Sequence, residues 1–118
     1  MITRLSKSSV LLKIQKSRSF LFGNNLFATS FVVITHNTTP FVTAYPWSSG
    51  FGTKYANPAT LPAGTGNGVA FSPSGNDVVI AHNTTPFVTA YPWSSGFGTK
   101  YANPTTLPAG TGRGVAFL

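Results

Sequence analysis

The sequence contains no cysteine and a single acidic residue, Asp77, against eight lysines and arginines. Without cysteine there is no disulfide framework, no thiolate-held zinc or iron–sulfur site and no cysteine nucleophile. With one carboxylate, paired acid/base chemistry within one chain is excluded. Charged residues make up 8% of the chain, against about 25% in a typical globular domain. Long exposed helices, coiled coils and helical bundles all need charged solvent faces and are disfavoured. No stretch of about 20 apolar residues exists to cross a membrane as a helix.

What is present is apolar, aromatic and rich in turn formers. Hydrophobic residues are 42% and aromatics 14%, too many for a disordered chain. The 12 glycines and 9 prolines together make 21 of 118 residues, about 18%, above average but below the about 25–30% of low-complexity segments. The length fits one domain.

The net charge of +7 and the pI near 10.3 invite a nucleic-acid reading, but the distribution argues against it. Five of the eight basic residues, Arg4, Lys7, Lys13, Lys16 and Arg18, lie in the first 18 positions. Residues 31–118 carry Lys54, Lys100 and Arg113 against Asp77, a net of +2. Residues 1–22 are basic, Ser-rich and acid-free, a composition that suits an organelle transit peptide. Their apolar positions form no clean amphipathic stripe, so a poorly ordered leader is expected. The body is expected to be soluble, with no strong nucleic-acid signal.

The dominant feature is internal repetition. Val32–Phe71 and Val78–Phe117 align at an offset of 46 and differ at three of 40 positions: Thr35/Ala81, Ala59/Thr105 and Asn67/Arg113. Each unit reads as short strands separated by turns. Val78–His82 is β-branched and apolar, and Phe87–Trp93 is aromatic and β-branched with Pro92 near its end. Ser72–Asp77, Asn83–Pro86 and Ser94–Gly98 are dense in turn residues. No helical period appears in the repeat, and four short strands per unit are expected.

Short antiparallel strands at a 40–50-residue period are the mark of propeller blades. The run Val69–Trp93, VAFSPSGNDVVIAHNTTPFVTAYPW, resembles the FSP-x-G, strand, turn, strand core of WD-repeat β-propellers. Tyr91-Pro92 and Tyr45-Pro46 fall where that family carries Trp-Asp, and Gly112-Arg113-Gly114 stands where it carries Gly-His. The family's hydrogen-bonded tetrad is therefore absent, and the resemblance is to a divergent repeat. It implies an all-β fold of four-stranded blades, about two per chain in an incomplete ring. The repeats would span about 23–68 and 69–113. In the second copy strand a is Val69–Ser72, b Val78–His82, c Phe87–Trp93 and d Thr99–Asn103. In the first, b is Phe31–His36, c Phe41–Trp47 and d Thr53–Asn57, with an eroded strand a at Asn25–Ala28. Gly114–Leu118 would open a third blade.

No catalytic constellation accompanies these strands, so a non-enzymatic interaction or structural module without cofactor is expected, with a carbohydrate-binding, lectin-like repeat as the alternative. His36 and His82, one per copy, have no acid or cysteine beside them, so a structural role is preferred over metal binding. The Gly-rich loop Pro108–Gly114 lacks the Lys-Ser/Thr ending of a phosphate cradle. Asn37-Thr38-Thr39 and Asn83-Thr84-Thr85 match the glycosylation acceptor pattern, a weak signal. The candidate ligand- or partner-binding residues are Trp47, Trp93, Tyr45, Tyr91, His36 and His82. The large aromatics are expected mainly to fill the wedge between blades; where any are exposed, Trp47 and Trp93, which border the Ser-Ser-Gly turns, are the expected pair. Two blades cannot close a ring, so head-to-tail self-association, giving six or eight blades, or membership of a larger protein assembly is expected, with a glycan as a further possible ligand.

Overall fold

The structure, a computed structural model, describes residues 30–118. The leader expected at 1–22 and the eroded strand expected at Asn25–Ala28 lie outside those residues. The described residues contain no helix; five strands form two sheets. β1 (Ser30–Thr35) and β2 (Val42–Trp47) make a two-stranded hairpin. β3 (Gly66–Phe71), β4 (Asp77–His82) and β5 (Val88–Pro92) make a three-stranded antiparallel sheet in that order. β3 opens on a bulge at Gly66–Gly68 and then runs in register with β4, Val69 opposite Ile80 and Phe71 opposite Val78. β4 continues onto β5 with Val78 opposite Tyr91 and Ile80 opposite Thr89.

Each hairpin turn has the same form in both copies. The Asn-Thr-Thr-Pro turn is closed by the Phe41 amide on the Thr38 carbonyl and by the Phe87 amide on the Thr84 carbonyl, both at 2.7 Å. Phe41 and Phe87 sit in the left-handed region, at φ of 70° and 72°. Such a residue breaks the regular strand geometry, so the strands start one position later than the apolar pattern implies, at Val42 and Val88.

The expected outermost strands do not form as ladders. After β5 the chain makes a bridge between Trp93 and Phe97, then donates from Gly98 to the Pro92 carbonyl and from Tyr101 to the Ala90 carbonyl. The Lys100 ammonium folds back onto the Tyr101 carbonyl and the Asn103 side chain, and Pro104 carries no donor. The first copy repeats this with Gly52, Tyr55, Lys54 and Asn57. The second sheet thus has three strands, the first two, and the segment Gly114–Leu118 is not a strand.

Phe31–Leu118 forms one compact unit. Its core lies between the two sheets: Val42 and Ala44 of the first repeat meet Val78, Ile80, Tyr91 and Trp93 of the second, with Phe31 and Val33 packed against them. Strand alternation explains the selection. Positions 78, 80 and 82 share one face of β4, and their cross-strand neighbours Tyr91 and Thr89 share it on β5.

Candidate interaction faces

The two repeats have nearly the same sequence and different surroundings, so burial at matching positions isolates what one repeat does for the other. Ile80 is 0% exposed and its copy Ile34 is 41% exposed; Trp93 is 4% exposed and its copy Trp47 is 39%. Tyr91 is fully buried, whereas Tyr45 is half-buried. We refer to this as the front face of a repeat. In the second repeat it is covered by the first; in the first it is open among the described residues.

The cover comes from the back face and the long loop of the first repeat. Trp93 packs edge-on against Phe31 at 5.2 Å, Tyr55 at 5.2 Å, Phe71 at 5.4 Å and Phe97 at 5.1 Å between ring centroids. Of these contacts Trp47 keeps only the one to Phe51, at 5.0 Å. The Tyr91 hydroxyl donates to the Thr60 carbonyl at 2.6 Å, pinning the loop across the sheet. Burial raises the Tyr91 pKa well above that of a free phenol. Pro58, Pro62 and Gly64 of that loop are buried, while their copies Pro104, Pro108 and Gly110 are exposed. A Cβ on Gly64 would strike the Thr84 hydroxyl and come within 2.6 Å of Asn83 Oδ1; one on Gly110 would meet nothing within 4 Å.

The back face of the second repeat is the matching open end. Val42 and Ala44 are buried in the first repeat, whereas their copies Val88 and Ala90 are half-buried. Tyr101 and Phe117, copies of Tyr55 and Phe71, are exposed. One residue is altered. Asp77 takes the place of Phe31, and its carboxylate accepts from the Tyr101 hydroxyl at 2.5 Å. That bond and the adjacent negative charge raise the Tyr101 pKa.

The sequence candidates therefore divide by repeat. Trp47 and Tyr45 flank an open face. Of the pair expected to be exposed where any are, only Trp47 is; Trp93 is the centre of the inter-repeat core, and Tyr91 is buried beside it. Border residues of a Ser-Ser-Gly turn looked alike in sequence; only the neighbouring repeat distinguishes them. His82 and His36 each share a 2.8 Å hydrogen bond with the next strand, through Nε2 to the hydroxyls of Thr89 and Thr43. His82 is fully buried, and desolvation lowers its pKa below 6.5, opposed in part by the backbone at Thr84 and Val88. Its Nδ1 and the indole nitrogen of Trp93 have no hydrogen-bond partner among the described residues. No group of three or more His, Asp or Glu side chains gathers among the described residues. Nor does any helix there have the length and apolarity to cross a membrane.

Ile34 as a surface residue, and Thr106 and Phe117 as its counterparts at the other end, are not singled out by the sequence alone. The available signal was strand parity combined with the 46-residue offset. No family model matches the sequence, and comparison with curated proteins and with solved structures gives no match.

Proposed function

We propose that this chain is a non-enzymatic structural and interaction module, built from propeller-type repeats and working through its two open repeat faces. The observation that carries the reading is the contrast between Trp93 and Trp47. One indole sits in a core that the preceding repeat completes; the identical indole of the first repeat stands open with Ile34, Tyr45 and Phe51. Contiguous exposed aromatic and aliphatic side chains on a rigid sheet are the composition of a protein-binding patch. The segments 53–57 and 99–103, each tied to its sheet by one backbone bond, serve in this reading as reduced fourth strands of a blade.

A carbohydrate-binding role is the second reading, favoured by the same exposed rings, since Trp and Tyr faces stack on sugars. A photo-crosslinker placed at Ile34 in the full chain separates the two. Covalent capture of protein, lost in a Trp47→Ala background, supports the first reading. Binding on a glycan array that Trp47→Ala abolishes supports the second. An Ile34 crosslinker that captures nothing, together with a blank array, refutes both.

A further inference from the structure

We infer that the partner of these faces is a second copy of this chain, docked head-to-tail in the geometry by which the second repeat already sits on the first. The inference rests on the interaction reading above and names its partner. The front face of repeat one and the back face of repeat two are the two halves of an interface that the molecule builds once internally. The halves left over lie at opposite ends of the repeat pair, so each copy can offer one to each neighbour.

The internal interface fixes the register. β3 pairs with β4, Gly66 opposite His82, Val69 opposite Ile80 and Phe71 opposite Val78. β1 has no strand beyond it in its sheet among the described residues. Shifting by 46 sets Gly112 of one copy opposite His36 of the next, Val115 opposite Ile34, and Phe117 opposite Val32. The segment following Gly112 is already aimed for this. The Gly112 amide donates to the His82 carbonyl at 2.9 Å, as Gly66 donates to His36 at 3.1 Å before β3 begins. The third strand is thus started correctly, no edge joins it among the described residues, and β1 of the next copy offers one.

The side chains complete the same map. Trp47 enters the site made by Tyr101 and Phe117, as Trp93 enters the site of Tyr55 and Phe71. The Tyr45 hydroxyl donates to the Thr106 carbonyl, as Tyr91 donates to Thr60. The loop carrying Pro104, Pro108 and Gly110 covers Asn37 and Thr38. One position does not repeat: Asp77 stands where Phe31 edges onto Trp93. The contact between copies therefore lacks one aromatic pair and is weaker than the contact within the chain.

The test uses full-length protein and two exposed sites outside the core cluster, with circular dichroism to check that each variant is folded. Phe51→Asp blocks the front face and Phe117→Asp the back face; both side chains are exposed. Sedimentation velocity across a concentration series is expected to show wild type associating. Each single variant is expected to associate at least roughly 30-fold more weakly, as for loss of an interface anchor. An equimolar mixture of the two variants should form a dimer and stop there, because one intact interface remains. Asp77→Phe should tighten wild-type association by roughly tenfold, by restoring the missing aromatic pair, and should do nothing when Trp47, the other member of that pair, is replaced by alanine. A wild type that stays at 12.4 kDa up to high concentration overturns the inference. If Trp47 in that monomer is quenched by acrylamide, the face is open to another partner and the interaction reading stands. If Trp47 is shielded in that monomer, the face is already covered and both readings fall. Assembly that neither variant disturbs overturns the inference as well.

Discussion

Trp47 and Trp93 are the same residue in the same local sequence, so replacing each by alanine measures what the preceding repeat contributes. Their exposures, 39% and 4%, differ by 35% of the side-chain surface. For a residue burying up to about 250 Å² that is about 90 Å², or about 2 kcal/mol at about 25 cal/mol per Å². Trp93 also makes three edge contacts that Trp47 lacks, with Phe31, Tyr55 and Phe71, each adding about 0.5–1.5 kcal/mol beyond area. Trp93→Ala is therefore expected to cost about 3–5 kcal/mol, the range for a large aromatic removed from a core, and Trp47→Ala about 3–4 kcal/mol less. Urea unfolding followed by circular dichroism, at low micromolar protein, gives both values from the shift in midpoint at constant m. Docking of a second copy stabilises the front face by mass action, so the Trp47 cost should grow with protein concentration while the Trp93 cost should not. Equal costs for the two variants, within about 0.5 kcal/mol at low concentration, would refute the reasoning.

Three further outcomes follow from matched positions. Gly64→Ala should destabilise by about 1–3 kcal/mol, because its Cβ runs into Thr84 and Asn83, while Gly110→Ala should change dilute-state stability by less than about 0.5 kcal/mol; thermal melts of the pair decide it. Tyr91→Phe should cost about 1 kcal/mol and raise amide exchange in the 58–64 loop by freeing the Thr60 carbonyl, and Tyr45→Phe should do neither in dilute protein; hydrogen exchange by mass spectrometry reads both. His82 has its folded-state pKa lowered by burial, so the unfolded chain takes up the proton first. Stability should be full above about pH 6.5 and fall as pH drops from there towards the lowered value. An NMR titration midpoint for His82 at or above 6.5 would contradict this.

The 46-residue period and the strands Val78–His82 and Phe87–Trp93 were legible in sequence to within a residue, because β-branched alternation and turn chemistry are local properties. The left-handed Phe87 shortened the second of these, and nothing in a Phe between Pro86 and Val88 signals that backbone. The outer strands failed because Tyr101 finds one carbonyl on β5 and Lys100 turns back on its own segment. Which of the two tryptophans is buried was not legible, since it depends on Phe31, a residue 62 positions before Trp93 and just outside the repeated text. The role of Asp77 was not legible either: only the packed structure shows that it stands where the first repeat has a partly buried phenylalanine.

The most direct test of the account needs no alteration of the native contacts beyond fluorine labelling. Full-length protein grown with 5-fluorotryptophan should give two ¹⁹F resonances, assigned by a Trp47→Phe variant. A soluble paramagnet should broaden Trp47 strongly and Trp93 weakly in dilute protein. As concentration rises, Trp47 should shift towards the shielded environment of Trp93, whose line should stay in place. Equal broadening of both resonances in dilute protein would contradict the inter-repeat core. A Trp47 resonance that stays fully accessible at every concentration would contradict the docking of a second copy.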